Sequence, residues 1–216
     1  MGTFSVIIPA GGSSSRYGNT NKLLETLNKR TVIEETVSKF VDINEVERVI
    51  IPANASIIDR IQQYFKNPKI LIIEGGKTRQ ESVYNGLKLV NTDYVIVHDA
   101  ARPLVTVDII KSVIDTVQVY NAVSVMTKTT DTIKEVDNNG FIVKTIDRSR
   151  LYNTQTPQAF KTQLLLKAHN KFINSSFTDD ASMLEELNIP VYVLNGSYTN
   201  IKITTKSDLD FAKLYI

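Results

Sequence analysis

Short runs of valine and isoleucine alternate with amphipathic stretches along most of this chain, and this alternation constrains its fold most strongly. The short runs are apolar throughout, which is typical of strands buried on both faces of a parallel sheet. The stretches between them repeat apolar residues at helical spacing. The sequence therefore predicts an α/β fold with a Rossmann-like, doubly wound, mostly parallel sheet. The predicted strands are residues 4–9, 46–51, 70–73, 94–97, 122–126 and 200–204, and the predicted helices are residues 31–41, 56–65, 79–89, 107–120 and a last one from about Ser207.

Residues 131–146 depart from this alternation. Two runs of period-2 alternation flank the turn Asn138-Asn139-Gly140, which predicts a β-hairpin. Apolar residues are sparse in this hairpin, and an isolated two-stranded ribbon is only marginally stable in water. We therefore expect a single domain over residues 1–216 from which the hairpin, named the β-arm below and spanning about residues 131–147, protrudes and packs against another surface, such as a second subunit.

Composition excludes several classes of function. The chain has no cysteine, which excludes disulfide scaffolds, cysteine-ligated zinc, iron–sulfur clusters and thiol catalysis, and two histidines cannot form a multi-histidine metal site. The 25 lysines and arginines against 23 aspartates and glutamates give a net charge of +2, unlike a dedicated nucleic-acid binder. No apolar run reaches the roughly 18–20 residues that span a bilayer. We expect a cytoplasmic protein that binds neither nucleic acid nor membranes.

The loop after the first predicted strand, residues 9–18, is rich in small residues. It matches neither the dinucleotide fingerprint nor the Walker A motif. Its position at the carboxyl edge of a parallel sheet suits the approach of main-chain N–H groups to phosphate. Arg16 and Lys22 would add two cations that clamp a polyphosphate and neutralise charge during phosphoryl or nucleotidyl transfer. The alternative interpretation is a flexible turn with two solvated cations.

Two further motifs follow predicted strands. Residues 75–78 end like a Walker A motif but lack its first glycine, so we interpret them as a tight turn that opens a helix, with Ser82 in its first turn. His98 begins the motif His-Asp-Ala-Ala-Arg-Pro. No second ligand has matching spacing, so a histidine bonded to local main chain is favoured over a metal ligand. Asp99, at the carboxyl end of its strand, suits a place near a metal-bound triphosphate.

The remaining polar clusters are less specific. Asp147-Arg148 ends the β-arm, and a Thr-Gln-Thr-Pro-Gln segment follows over residues 154–158. Residues 178–182 predict a helix N-terminus with acidic residues in its first turn. Lys202 interrupts an alternating pattern, which indicates that it points into a site. Structure alone explains each of these residue types at least as well as function does.

These clusters occur together and in order, and the chain closely resembles the 2-C-methyl-D-erythritol 4-phosphate cytidylyltransferases of the non-mevalonate isoprenoid pathway. The resemblance covers nearly the whole chain. The motifs that carry it are Pro9-Ala-Gly-Gly12, Gly75-Gly-x-x-Arg79-x-x-Ser82, His98-Asp-Ala-Ala-Arg-Pro103, Asp131-Thr132, Asp147-Arg148, Gln155-Thr-Pro-Gln158, Thr178-Asp179 and Asn200-Ile-Lys-Ile-Thr204.

The resemblance implies that a cytidylyl group passes from CTP to 2-C-methyl-D-erythritol 4-phosphate, a polyol phosphate, with release of pyrophosphate. It implies a homodimer joined through exchanged β-arms, with Arg148 reaching the partner subunit's site. The implied catalytic residues are Arg16, Lys22, Arg148 and Lys202. The implied nucleotide-binding residues are Ala10, Gly11, Gly12, Gly75, Ser82, Asp99 and Ala100. The implied acceptor-binding residues are Arg102, Thr132, Arg148, Thr156, Thr178, Lys202 and Thr204.

This chemistry needs no general base, because the attacking phosphate oxygen is already ionised near neutral pH. Positioning and charge neutralisation would then carry the rate. Mg²⁺ would be held mainly by the CTP phosphates, so no residue is predicted as a metal ligand.

Two departures from the family pattern are Ser14, where a second loop glycine is common, and Asn21, where a proline is common. Neither removes a charge, so we expect activity with an altered affinity for CTP. Two alternatives remain open from the sequence. One is a ribitol-5-phosphate cytidylyltransferase for teichoic acid synthesis, although the second alanine of the motif, Ala101, favours the methylerythritol enzyme. The other is a non-catalytic nucleotide-binding protein, against which the presence of both Arg16 and Lys22 argues.

Overall fold

The fold is built on a seven-stranded sheet. A computed structural model describes residues 2–12, 17–18 and 20–216. The strands are β1 (Phe4–Ile7), β2 (Thr26–Leu27), β3 (Arg30–Thr31), β4 (Val46–Ala53), β5 (Ile70–Glu74), β6 (Tyr94–Val97), β7 (Ala122–Lys128), β8 (Ile133–Val136), β9 (Ile142–Ile146), β10 (Tyr152–Lys161) and β11 (Tyr192–Asn195). The strand order in the sheet is β11-β7-β10-β6-β1-β4-β5, while β2 pairs with β3 and β8 pairs with β9.

Most neighbouring strands of the sheet are parallel. β1 lies between β4 and β6, and β5 extends this half of the sheet, all in parallel register. β7 and β11 are also parallel, while β10 runs antiparallel to both β6 and β7. The predicted α/β class and mostly parallel sheet are therefore confirmed, with one antiparallel strand inserted. The carboxyl ends of β1, β4, β5 and β6 all meet at one edge of the sheet.

Helices cover both faces of the sheet, as a doubly wound fold requires. They are α1 (Val32–Val41), α2 (Ile58–Tyr64), α3 (Arg79–Leu87), α4 (Val107–Tyr120), α5 (Thr162–Lys171), α6 (Asp180–Glu185) and α7 (Lys206–Lys213). Along β1, Phe4 and Val6 join an apolar cluster with α1, α2, α4 and α7, whereas Ile7 joins a second cluster with α3, α5 and α6. This alternation of side chains along one fully buried strand divides the core into two layers. No described helix has the length and apolar character of a membrane span.

The sequence patterns do not predict β10, β11 or α5. β10 carries polar side chains at buried positions, among them Gln155, Thr156 and Gln158, each with hydrogen-bond partners in the fold. A strand whose buried positions are polar does not display the apolar run on which strand prediction depends.

The predicted strand over residues 200–204 is wrong. One main-chain hydrogen bond, from the N–H of Ile203 to the carbonyl oxygen of Ala101 (2.8 Å), joins this segment to its neighbour, and no ladder forms. The alternating pattern has another cause. Ile203 is fully buried in the core, while Lys202 and Thr204 on either side of it line a cleft. The segment is therefore an extended loop with one apolar and one polar side.

The β-arm is present as predicted. β8 and β9 pair in antiparallel register from Ile133 opposite Ile146. The arm nevertheless leaves apolar side chains in solvent, with Phe141 71% and Ile142 64% exposed. Such exposure of adjacent large apolar residues is typical of a surface that another molecule covers.

Candidate active site

A cleft of about 480 Å³ lies at the carboxyl ends of β1, β4, β5 and β6, the edge at which α/β sheets bind ligands. Each of these strands contributes the residues that directly follow it, and the loop after Asn200 closes one side. The described residues that line the cleft are Pro9, Ala10, Gly11, Gly12, Tyr17, Lys22, Leu23, Asn54, Gly76, Lys77, Thr78, Arg79, Asp99, Ala100, Ala101, Lys202 and Thr204.

Three cations surround the carboxylate of Asp99 in this cleft. Lys202 Nζ lies 2.8 Å from Oδ2, Arg79 Nε lies 3.1 Å from Oδ1, and Arg102 Nε lies 3.6 Å from Oδ2. Burial alone would raise the pKa of Asp99, but the charges of Arg79, Lys202 and Arg102 outweigh burial and hold this pKa well below its usual range. Asp99 is therefore an anion at neutral pH. It anchors the ammonium group of Lys202 beside the cleft.

Arg79 links Asp99 to a second buried carboxylate, which the sequence patterns do not reveal. Its Nη1 donates to Asp180 Oδ2 at 2.7 Å, and Asp180 Oδ1 lies 3.4 Å from Nε2 of the buried His169. Burial alone would lower the pKa of Arg79, but Asp180 and Asp99 raise it above its ordinary value. Arg79 thus stays charged, with its guanidinium fixed between two carboxylates. The motif Gly75-Gly-x-x-Arg79-x-x-Ser82 includes this arginine, but it does not predict the contact with Asp180.

Two glycines of the cleft, Gly11 and Gly76, are packed too closely for a larger side chain. A Cβ on Gly11 would lie 2.8 Å from Ser82 Oγ, and a Cβ on Gly76 would lie 2.2 Å from Glu81 Cβ. Ser82 is fully buried beneath this contact, where its hydroxyl accepts from the N–H of Gly76 (3.0 Å) and donates to the carbonyl oxygen of Thr78 (2.9 Å). Ser82 therefore shapes the cleft by holding the turn rather than by lining it.

Lys22 enters the cleft from a one-turn 3₁₀ helix, Lys22–Leu24. Asn21 caps this turn, because its side-chain oxygen accepts from the N–H of Leu23 at 3.0 Å. Leu23 is buried in the core and anchors the turn from below. The asparagine at this position thus supplies a local structural contact of its own.

Comparison with known proteins decides which family this cleft belongs to. The model of the 2-C-methyl-D-erythritol 4-phosphate cytidylyltransferase family matches residues 4–216. The chain belongs to this family. It is 41% identical over 218 residues to the 2-C-methyl-D-erythritol 4-phosphate cytidylyltransferase of Prochlorococcus marinus (strain MIT 9312), a match that covers 97% of this chain and 96% of that protein. It is 36% identical over 225 residues to the protein of that name from Caldanaerobacter subterraneus, with 100% and 99% covered.

Solved structures agree with this cytidylyltransferase assignment. The crystal structure of 4-diphosphocytidyl-2C-methyl-D-erythritol synthase from Anaerococcus prevotii superposes with a TM-score of 0.87 at 30% identity, covering 99% of this chain and 95% of that one. The 2-C-methyl-D-erythritol 4-phosphate cytidylyltransferase of Francisella tularensis gives a TM-score of 0.85 at 32% identity, covering 99% and 100%. The chain is a cytidylyltransferase of the non-mevalonate isoprenoid pathway.

The structure of this cytidylyltransferase brings many of the sequence-predicted site residues to one cleft. Those that line it are Ala10, Gly11, Gly12, Lys22, Asp99, Ala100, Lys202 and Thr204. Gly75, Ser82, Arg102 and Thr156 lie behind this lining, where Ser82 and Thr156 are buried and Arg102 bonds the carbonyl oxygen of Asn200 at 2.8 Å. Arg16 and Ser14 lie outside the described residues.

Besides Arg102 and Thr156, three more predicted acceptor-binding residues do not line the cleft of their own chain. Thr132 and Arg148 are exposed on the β-arm and just beyond it, and Thr178 is exposed ahead of α6. Arg148 donates to the carbonyl oxygen of Thr130. The predicted helix start at residues 178–182 is confirmed, with Asp179 as the N-cap of α6.

His98 makes main-chain and side-chain bonds in the interior, as the favoured prediction had it. The ring is completely buried and packs on Phe40, with Nε2 3.1 Å from the carbonyl oxygen of Arg102 and Nδ1 3.1 Å from Thr156 Oγ1. Burial, together with the charges of Arg102 and Arg79, lowers the pKa of His98 from 6.5 to about 4, and it outweighs the hydrogen bond to the Arg102 carbonyl and the charge of Asp99, which raise it. The imidazole is therefore neutral at physiological pH.

Acidification is expected to destabilise the cytidylyltransferase through His98. The unfolded chain protonates this ring at a pKa of 6.5, whereas the folded chain resists protonation down to a pKa of about 4. The stabilisation is thus fully present above pH 6.5 and is lost as the pH falls toward 4, in total about 3 kcal/mol. Urea unfolding of wild type and His98→Gln across this pH range measures the free energy of unfolding. His98→Gln should lose less of this free energy on acidification than wild type, and equal losses would contradict the role given to His98.

Proposed function

We propose that this cytidylyltransferase binds CTP against the glycine turns of the cleft and transfers its cytidylyl group to 2-C-methyl-D-erythritol 4-phosphate. The observation that carries this proposal is the convergence, at one sheet edge, of small-residue turns with Lys22 on one side and the Lys202–Asp99 pair on the other. Main-chain N–H groups and cations are what a triphosphate requires. The whole chain acts as one nucleotidyltransferase domain. Family membership sets aside the ribitol-phosphate and non-catalytic alternatives.

In the reaction, a phosphate oxygen of the acceptor forms a bond to the α-phosphorus of CTP, and the bond from that phosphorus to pyrophosphate breaks. No proton has to be removed from the attacking oxygen. No histidine is among the described residues that line the cleft, and its carboxylate Asp99 is held by cations. Catalysis therefore rests on positioning and on charge stabilisation by Lys22 and Arg16, while Lys202 and Arg148 position the acceptor.

We propose that Mg²⁺ enters this site with the nucleotide. Among the described residues, no group of three histidine, aspartate or glutamate side chains could hold a metal ion. Asp99 is the carboxylate of the cleft, and it already contacts Arg79, Arg102 and Lys202. These residues suit a metal whose oxygen ligands come mainly from the triphosphate, as is usual for this ion. When bound, Mg²⁺ would neutralise phosphate charge.

We also propose a homodimer whose β-arms are exchanged. The exposed apolar side chains of the arm need a partner surface, and Arg148 at its base is not among the described residues that line the cleft of its own chain. A second subunit would supply the surface and receive the arginine. Light scattering at micromolar concentration measures the mass, and a monomer would overturn this part of the proposal.

Pyrophosphate release with CTP and a panel of acceptors tests the activity. We expect release with 2-C-methyl-D-erythritol 4-phosphate and much slower release with ribitol 5-phosphate or glycerol 3-phosphate. Equal or faster release with ribitol 5-phosphate would contradict the proposed acceptor. Replacing CTP by UTP or ATP in the same assay tests whether the enzyme is specific for CTP.

A further inference from the structure

In the turn at residues 98–102, directly after β6, several main-chain groups are held by hydrogen bonds to one another or to other parts of the fold. The N–H of Arg102 donates to the carbonyl oxygen of Asp99 (3.0 Å), and the N–H of Ile203 donates to that of Ala101 (2.8 Å). The buried hydroxyl of Thr36 lies 2.9 Å from the carbonyl oxygen of Ala100 and 2.9 Å from that of Val32, and it shares its one hydrogen between them. Two more main-chain groups of the turn bond to side chains. The N–H of Asp99 donates to Thr156 Oγ1, and the carbonyl oxygen of Arg102 lies 3.1 Å from His98 Nε2.

Thr156 supplies hydrogen bonds at the point where the ladder between β10 and β6 ends. The antiparallel register of β10 and β6 pairs Gln158 with Val97, which places Thr156 opposite Asp99 two residues further on. Pro157 has no N–H, so the ladder cannot continue in its regular form. Instead, Thr156 Oγ1 accepts from the N–H of Asp99 at 3.0 Å, and the carbonyl oxygen of Thr156 accepts from Asn200 at 2.9 Å.

The proton positions in this chain of bonds follow from donor and acceptor chemistry. The carbonyl oxygen of Arg102 can only accept, so Nε2 of the neutral His98 ring must carry the proton. Nδ1 is then an acceptor, and the hydroxyl of Thr156 donates to it at 3.1 Å. Because the hydroxyl hydrogen of Thr156 is donated to His98, Thr156 Oγ1 accepts from the N–H of Asp99. The N–H of Asp99 thus donates to Thr156, the hydroxyl of Thr156 donates to His98, and Nε2 of His98 donates to the carbonyl oxygen of Arg102.

We propose that Thr156 and His98 are positioning residues of the transfer reaction, acting through the main chain of the turn that carries Asp99, Ala100 and Arg102. This inference rests on the proposed function, since those residues serve both substrates there. Thr156 is 4% exposed and its hydroxyl is fully engaged, so it acts on the acceptor indirectly. A reaction without a general base depends on the placement of charges, which such a rigid turn secures.

Thr156→Val and Thr156→Ser test the proposal, because valine keeps the shape and loses the hydroxyl while serine keeps the hydroxyl. We expect kcat/KM to fall about 10- to 100-fold in Thr156→Val, because displaced charges lower rates steeply, and to stay near wild type in Thr156→Ser. The matched control is Thr162→Val. Thr162 is also buried, and its hydroxyl has no hydrogen-bond partner among the described residues, so this variant should keep normal kinetics.

Calorimetry of CTP binding without acceptor separates positioning from direct contact. Thr156→Val should weaken CTP binding as well as acceptor use, because Asp99 and Ala100 lie on the nucleotide side. Normal CTP binding with a higher KM for the acceptor alone would mean that Thr156 touches the acceptor, and unchanged kinetics would mean that it has no role; either result overturns the proposal. A wild-type protein that neither binds CTP nor turns over would instead contradict the proposed function.

Nitrogen-15 NMR of the imidazoles tests the arrangement without any activity measurement. The chain has two histidines, so the His98→Gln spectrum assigns the signals. We expect wild-type His98 to show a protonated Nε2 and an unprotonated, hydrogen-bonded Nδ1 at neutral pH, and the Nδ1 signal to shift in Thr156→Val. A proton on Nδ1, or an unchanged signal in a folded Thr156→Val protein, would overturn the proposal.

Discussion

Lys22→Ala is expected to lower kcat by a factor on the order of 10²–10³, the usual loss when a preorganised group that stabilises transition-state charge is removed. Lys22 lines the cleft on a turn that is fixed from both sides, by the Asn21 cap above and the buried Leu23 below. The substitution therefore removes a charge and leaves the turn in place. Pyrophosphate release at saturating CTP and acceptor measures kcat directly.

Lys29→Ala provides the matched control for this experiment. Lys29 is an exposed lysine seven positions further along the same segment and does not line the cleft. We expect its removal to leave both kcat and the melting temperature near wild type. Turnover of Lys22→Ala within a few-fold of wild type would exclude Lys22 from the transition state. A melting temperature far below that of Lys29→Ala would show that Lys22 supports the fold instead.

The layers of this fold could be predicted from sequence because its strands and helices differ in period. β1, β4, β5, β6 and β7 are short runs rich in valine and isoleucine, and the long α4 repeats apolar residues every three or four positions. Such patterns report burial directly. β10 was not predicted, for the opposite reason. It buries the polar side chains of Gln155, Thr156 and Gln158, and their hydrogen bonds are not indicated by any local sequence pattern.

Those parts of the site that are formed by residues of one loop could be predicted from sequence. Those parts that are formed by residues far apart in the sequence could not. The loop after β1 and the Asp99 motif are recognisable because small and charged residues directly follow buried strands. The pair between Arg79 and Asp180 joins residues 101 positions apart, and it exists only because α3 and α6 lie on the same face of the sheet. A sequence pattern holds no information on such a contact, so the motif that contains Arg79 does not predict its bond to Asp180.

The second large effect is expected at Arg148, which we place in the neighbouring subunit's site. Arg148 follows β9 in a 3₁₀ turn capped by Asp147, is exposed, and is not among the residues that line the cleft. Removing a charged hydrogen bond to the acceptor phosphate should lower kcat/KM for the acceptor about 10- to 100-fold. CTP binding should stay near wild type. Arg150→Ala, an exposed arginine in the same turn, is the control and should behave as wild type.

Mixing Arg148→Ala with Lys22→Ala protein tests whether the site is shared. If each site takes Lys22 from one chain and Arg148 from the other, a mixed dimer has one site with both cations and one with neither. Random exchange makes about half of the dimers mixed, so activity should recover to about a quarter of wild type, well above either variant alone. Mass spectrometry of isotope-labelled subunits verifies the exchange. Without recovery after verified exchange, Arg148 would serve the site of its own subunit or neither site.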